Sequence, residues 1–188
     1  MGISNLRPKH SSPFAATRRT TIYEIGPRAE FREPEASDPM LDEIYNKRIL
    51  ELAANIPRLG RLEKPDASAS AHSKLCGSTV AVDVRITDGR VADFAHDVKA
   101  CALGQASSSI MARNVIGSTP EELRDLRDAV RRMLKENGPP PDGKWADIAA
   151  LEPVRNYKAR HASTLLTFEA TAQAATEAEA KQAAGAAG

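Results

Sequence analysis

Hydrophobic and polar positions alternate most cleanly between Thr79 and Ile86. Val80, Val82, Val84 and Ile86 take one face, and Thr79, Ala81, Asp83 and Arg85 the other. A period of two predicts a half-buried strand. Thr87-Asp88-Gly89-Arg90 follows, and Asp-Gly tolerates the positive φ of a two-residue hairpin turn. A returning strand is predicted over Val91 to Lys99, with Ala92, Phe94, His96 and Val98 on one face. Elsewhere the period is helical. Leu41, Ile44, Tyr45, Ile49, Leu52 and Ala53 recur at spacings of three and four. They predict a helix from Leu41 to about Asn55, stopped by Pro57 and Gly60. The small-residue run from Asp66 to Ser73 reads as a loop with room for a short edge strand.

Downstream of the hairpin, Leu103, Ala106, Ile110, Met111 and Val115 predict a helix from Ala102 to about Ile116. Its other side, Gly104, Ser107, Ser108 and Ala112, is lean. Such a face admits another backbone, a bulky inorganic group, or simply tight packing on a sheet. Thr119, Pro120 and Glu122 form the signature of a capped helix start, and Gly138 with three prolines ends that helix. Trp145, Ile148 and Leu151 mark a short apolar segment. A last helix is predicted from near Pro153, carrying Val154, Tyr157, His161, Leu165, Leu166 and Phe168.

One domain is expected over 40–170, between two tails. Residues 1–39 are poor in aliphatics and hold Pro8, Pro13, Pro27, Pro34 and Pro39, so a disordered extension is predicted. Met40, directly before the first helix, is an alternative start of translation. Residues 171–188 carry no stripe bulkier than alanine, and a frayed tail is predicted there. The order of elements is helix, two or three antiparallel strands, then three helices. This gives the α+β class, a small antiparallel sheet with helices packed on one face.

Composition narrows the function. Lys+Arg 26 against Asp+Glu 25 leaves a net charge of +1, so bulk electrostatics draws the chain to neither nucleic acid nor a membrane surface. No apolar run approaches the ~20 residues of a membrane span. Arg18-Arg19 lacks the apolar segment that a twin-arginine signal needs. Phosphate loops, dinucleotide fingerprints and nucleophile triads are missing, so an enzyme is not expected. Cys76 and Cys101 are the only cysteines among 188 residues. Too few for a disulfide framework, they point to a reducing cytoplasm, with a single Cys76–Cys101 disulfide as the rival.

Those cysteines bracket the predicted hairpin, so its closure would return both thiols to one end of the sheet. Cys76-Gly77 stands ahead of the hairpin, and Cys101 precedes the Gln-Ala-Ser-Ser-Ser-Ile-Met helix. Gly117, Thr119-Pro120 and Pro153-Val154-Arg155 then follow in order. Together these pieces, from about Ile44 to Phe168, resemble the U-type iron–sulfur cluster assembly scaffolds, the IscU and NifU N-terminal family. The resemblance implies iron binding or a labile iron–sulfur cluster, with zinc as the alternative metal. It also implies a cysteine desulfurase and other assembly proteins as partners, and leaves a homodimer open.

Three cysteines and an aspartate surround the metal in that family. By the resemblance Cys76 and Cys101 match two of them, Ser78 stands where the aspartate does, and Lys158 falls at the third cysteine. Clusters and structural zinc prefer four donors, thiolates above all. His161, three residues beyond Lys158 and on the same helix face, is the candidate replacement ligand, so the candidate metal set is Cys76, Cys101 and His161. The alternative for His161 is a packing role. His96 and His72 are weaker candidates. Lys158 reads either as a cation favouring a Cys101 thiolate or as a solvated surface lysine. Three functions follow: a divergent scaffold handling iron or sulfur through two cysteines, a binding or regulatory module without metal, and a zinc-binding sulfur-transfer accessory.

Overall fold

The computed structural model describes residues 46–186. The predicted extension over 1–39, Met40 and the first apolar positions Leu41, Ile44 and Tyr45 lie outside the described residues. Helix α1 spans Lys47–Ala54. Asn46 caps it, its side chain accepting from Ile49 N at 3.0 Å, and Ile49 and Leu52 are buried.

Three antiparallel strands follow in the order β1-β2-β3: β1 Ala67–His72, β2 Thr79–Thr87 and β3 Arg90–Lys99. The short edge strand is present. Ala67 and Ala69 face the core while Ser68 and Ser70 are exposed, an alternation made of the smallest side chains. Asp88 (φ 51) and Gly89 (φ 70) form the tight turn that Asp-Gly predicts.

The face assignment of β3 needs one correction. Arg85 pairs with Asp93 but Ile86 pairs with Val91, so Ala92 is the extra residue of a bulge. Ala92 is therefore exposed, and Val91 joins Phe94 and His96 in the core. Two segments cover the outer edge of β3. Gly60 N donates to His96 O at 2.9 Å, and Val91 N donates to Ser118 O at 2.9 Å. Backbone groups that would otherwise be open are thereby paired.

Helix α2 runs Ala102–Asn114, and α3 runs Pro120–Lys135 from a complete capping box. Thr119 Oγ1 accepts from Glu122 N, and the Glu122 carboxylate accepts from Thr119 N. Gly143–Asn156 is a run of 3₁₀ turns burying Trp145, Ile148, Leu151 and Val154. A spacing of three suits three residues per turn. The last helix thus starts at Lys158, not near Pro153, whose missing N–H and preceding-residue restriction suit the tighter turns.

Helix α4 extends over Lys158–Ala186, which corrects the expectation of a frayed tail after Thr171. Thr171, Ala172, Ala174, Ala175 and Ala178 are fully buried. Alanine is what the site demands, because α4 lies against β1, β2, α2 and α3 together. Near its end Lys181 Nζ donates to Asp66 O and Gln182 Nε2 donates to Ile86 O. A helix this enclosed has no room for a bulky stripe.

On the sheet face away from Val80, Val82 and Val84, Asp83 is saturated. It accepts from Arg61 Nε and Nη2, each at 2.6 Å, from Ser68 Oγ at 2.6 Å and from Leu62 N at 3.0 Å. Burial pushes its carboxyl up, yet Arg61, Ser68 and the Leu62 N–H outweigh that and hold it below the usual carboxylate range.

Candidate functional site

The β2–β3 pairing ends at Thr79 and Lys99, and His72 of β1 pairs with Thr79. Cys76 lies three residues before that pair and Cys101 two residues after it. The hairpin therefore brings both cysteines to one end of the sheet, as the sequence pattern predicts. Both are free thiols.

Cys76 rides on the turn joining β1 to β2, closed by Ser73 N to Ser78 O and Gly77 N to Ser73 O, both 2.9 Å. Ser73 and Ser78 are buried while Lys74, Leu75, Cys76 and Gly77 are exposed. The two hydroxyls converge on the sulfur, Ser78 Oγ at 3.0 Å and Ser73 Oγ at 3.3 Å from Sγ. Hydrogen bonds from Ser73, Ser78 and the Ser78 N–H, with Arg160 adding its positive charge, bring the Cys76 thiol down to about 7. Hydroxyls that donate to the charged form stabilise thiolate. Ser78 accepts from the Cys76 thiol and can donate to its sulfur once the thiol is ionised.

Cys101 is the N-cap residue of α2 and makes no side-chain cap bond. Its thiol, half-buried, donates to Ser163 Oγ at 3.6 Å, and Ser163 Oγ donates to Arg160 O at 3.0 Å. Gly104 explains how α4 comes so near. A Cβ there would stand 2.7 Å from Ala100 Cβ and 3.1 Å from Ser163 O. The lean face of α2 therefore admits a backbone, that of α4. Arg160 and Ser163, one helical turn apart, present a guanidinium and a hydroxyl to the two thiols.

The remaining candidates lie elsewhere or point elsewhere. His161 is only 7% exposed, and its Nε2 lies 3.0 Å from Arg155 O and 3.2 Å from Val154 O. Carbonyls only accept, so Nε2 carries the proton and ties α4 to the 3₁₀ segment. With Nε2 so engaged, a metal would have to be met by Nδ1. No group of three or more His, Cys, Asp or Glu could hold a metal ion among the described residues. Lys158 is exposed at the first position of α4; the cation acting on a cysteine is Arg160, and the cysteine is Cys76. His96 is fully buried, with Nε2 at 2.9 Å from Pro57 O and no partner for Nδ1. Burial lowers its pKa, against the Pro57 contact. His72 is exposed at the end of β1.

Sequence reasoning did not single out Ser73, Arg160 or Ser163. Two weak signals existed: serines flanking Cys76 on both sides, and an Arg-Ser pair at i, i+3 early in the last helix.

A closed four-donor metal site does not fit these residues. Two thiols face three hydroxyls and an arginine, and neutral hydroxyls are poor ligands.

Comparison with known proteins places the chain. Residues 44–164 match the family described as NifU-like N terminal domain. The iron–sulfur cluster assembly scaffold protein IscU of Thermotoga maritima is 26% identical over 132 residues, covering 70% of this chain and 92% of the relative. A NifU-like protein (N-terminal) from Brucella abortus, described as nitrogen-fixing and solved by crystallography, is 66% identical. It has a TM-score of 0.74 and covers 76% of this chain and 99% of the other. At 21% identity and a TM-score of 0.66, a putative scaffold protein for the SUF system from Fervidobacterium islandicum AW-1 shares the fold over 71% of this chain and 98% of its own. The chain belongs to the NifU-like N-terminal domain family, the U-type scaffolds of iron–sulfur cluster assembly.

Proposed function

We propose that this chain serves iron–sulfur cluster assembly as a sulfur-accepting scaffold protein, with Cys76 the accepting thiol and Cys101 its companion. One observation carries the reading. Cys76 is exposed, yet two buried serines aim their hydroxyls at its sulfur and bring the thiol to about 7. A thiol of that kind is a nucleophile at neutral pH. Its thiolate attacks the outer sulfur of a persulfide carried by a donor protein. The new S–S bond forms on Cys76, the donor's S–S bond breaks, and the donor leaves as thiolate. A cysteine desulfurase is the fitting donor. Leu75, 76% exposed beside Cys76, offers it an apolar contact.

Iron, or an iron–sulfur unit, is cargo in this reading and zinc the alternative. Two thiolates are half of a four-donor set, so the metal is held loosely and completed by donors from outside the chain, a second copy in a homodimer among them. Two free cysteines suit the cytoplasm. No helix among the described residues is long and apolar enough to cross a membrane.

The lack of a three-donor group among the described residues favours a second reading, a binding or regulatory module that keeps the fold without metal. Anaerobic incubation with a persulfide donor, then iron, separates the two by counting sulfane sulfur, iron and zinc per chain. The expected result is sulfur retained by Cys101→Ser but not by Cys76→Ser, with iron removed readily by chelators. Equal retention by the two variants, or none by either, would overturn the sulfur-accepting role.

A further inference from the structure

Resting on that sulfur-accepting reading, we propose that Cys101 discharges the sulfur held on Cys76 as sulfide, making the two thiols a dithiol couple that supplies both electrons. Placement comes first. The Thr79–Lys99 pair fixes the sheet end, and each cysteine lies within three residues of it. One turn of α4 serves both thiols: the charge of Arg160 reaches Cys76, and Ser163, bonded to Arg160 O, accepts from Cys101. The Cys101 thiol has no strong hold on its position. Its bond to Ser163 Oγ is 3.6 Å, long even for sulfur, and it caps nothing on α2.

The groups placed around the two sulfurs, Ser73, Ser78, Ser163 and Arg160, are neutral or positive. They do not oppose an attacking thiolate or a departing hydrosulfide. The positive charge of Arg160 favours both.

The step balances as follows. Cys101 gives its proton to solvent, and its thiolate attacks Sγ of the Cys76 persulfide. A Cys76–Cys101 bond forms, the bond from Cys76 to the outer sulfur breaks, and that sulfur leaves with its proton as hydrosulfide. Each cysteine gives one electron and the sulfane sulfur takes two. One turnover ends at the disulfide, and a dithiol reductant returns the pair to thiols. Sulfur is thus stored on the exposed cysteine and released by the inner one, in a form that iron can take up directly.

The test is a single turnover. The full chain is loaded anaerobically with glutathione persulfide, freed of small molecules, and followed for released sulfide and for mass. The native chain should release about one sulfide per loaded Cys76 and end two hydrogens lighter than the reduced protein, through a Cys76–Cys101 disulfide. Cys101→Ser should keep its extra sulfur on Cys76 and release sulfide at least about tenfold more slowly. Cys101→Ala, with thermal melts of both variants, guards against a folding defect. A native chain that stays persulfidated without forming the disulfide overturns the proposal, as does release from both Cys101 variants at the native rate. Absence of any sulfur on Cys76 overturns the sulfur-accepting reading as well.

Discussion

Asp83 and Cys76 are both acids met by a serine hydroxyl, a backbone N–H and the charge of an arginine, and they serve opposite ends. Asp83 has a side chain 1% exposed and four hydrogen bonds, two of them from Arg61. Cys76 is exposed, takes two hydroxyls at 3.0 and 3.3 Å, and feels Arg160 only through its charge. Where burial is deep and the donors saturate the acceptor, protonation has a high cost and the charge is permanent. Where the group is open and partly satisfied, both protonation states are populated near neutral pH and the sulfur can react. The same device, completed or left incomplete, separates a structural anion from a reactive one.

Removing everything after Thr171 should do the most damage, because α4 supports both regions. Its first turns present Arg160 and Ser163 to the thiols, and its last turns hold Asp66 O and Ile86 O. Four fully buried alanines beyond Thr171 would be lost. At ~0.8 kcal/mol for each buried methyl the cost is upward of about 3 kcal/mol, a large share of a domain's stability. The chain ending at Thr171 is expected to lose its cooperative melt; an unchanged melting temperature would return that segment to the status of a tail.

Asp83→Ala comes next. It removes the acceptor of the half-buried Leu62 N–H, while the exposed Ser68 hydroxyl and Arg61, half in water, recover their solvation. The expected loss is about 1–3 kcal/mol in denaturant unfolding, the range for lost hydrogen bonds to a buried charged group where the remaining charge is solvated. A folded pKa below the usual range means stability present above that range and lost as pH falls through the folded value. The variant should therefore lose part of the acid-side fall in stability. Cys76 alkylation should not change, and a change would mean the two anions are coupled.

How much of this was legible follows from what each signal is made of. Val80 to Ile86, the Asp88-Gly89 turn and the Thr119–Glu122 box are local, and the structure repeats them. The bulge at Ala92 depends on cross-strand register, which no single strand encodes. The end of α4 was missed because alanine reads as featureless until four other elements surround it. At the site, hairpin logic brought Cys76 and Cys101 together. Helical spacing put His161 on the right segment, but it does not set the ring's direction, and the ring turns to the Arg155 and Val154 carbonyls. Ser163 reaches Cys101 only because Gly104 lets α4 approach, a three-way fit spread over the sequence.

That fit changes where a lost ligand should be restored. Ser163, not Lys158, is the α4 side chain in contact with Cys101. Ser78→Asp with Ser163→Cys should tighten zinc or iron binding at least about tenfold, or about 1.4 kcal/mol, by supplying two anionic donors around the existing thiols. Ser78→Asp with Lys158→Cys should fall short of that. Titration against a competing chelator reads the difference, and equal gains from the two pairs would remove Ser163 from the site.

Ser78→Ala should cost the fold least and sharpen the comparison most. Its hydroxyl bonds an exposed thiol, so little stability rests on it, and the melt should move only slightly. The reactivity of Cys76 is another matter. The hydroxyl 3.0 Å from Sγ can donate to the thiolate, and the methyl that replaces it cannot. Ser73 at 3.3 Å, the Ser78 backbone N–H and Arg160 remain. The thiol should therefore rise from about 7 toward, without reaching, the ordinary thiol value of about 8.5. Thiolate is the form present above the pKa, so the alkylation profile moves to higher pH and the rate at pH 7 falls several-fold. In a Cys101→Ser background, where Cys76 is the only thiol, the iodoacetamide rate against pH reads this directly. The rate well above the new midpoint should equal or exceed the native plateau, because a thiolate of higher pKa is at least as nucleophilic. A profile that stays near 7 would assign the activation to Ser73 and Arg160. A lowered plateau at unchanged midpoint would mean that Ser78 positions the sulfur instead of holding its charge.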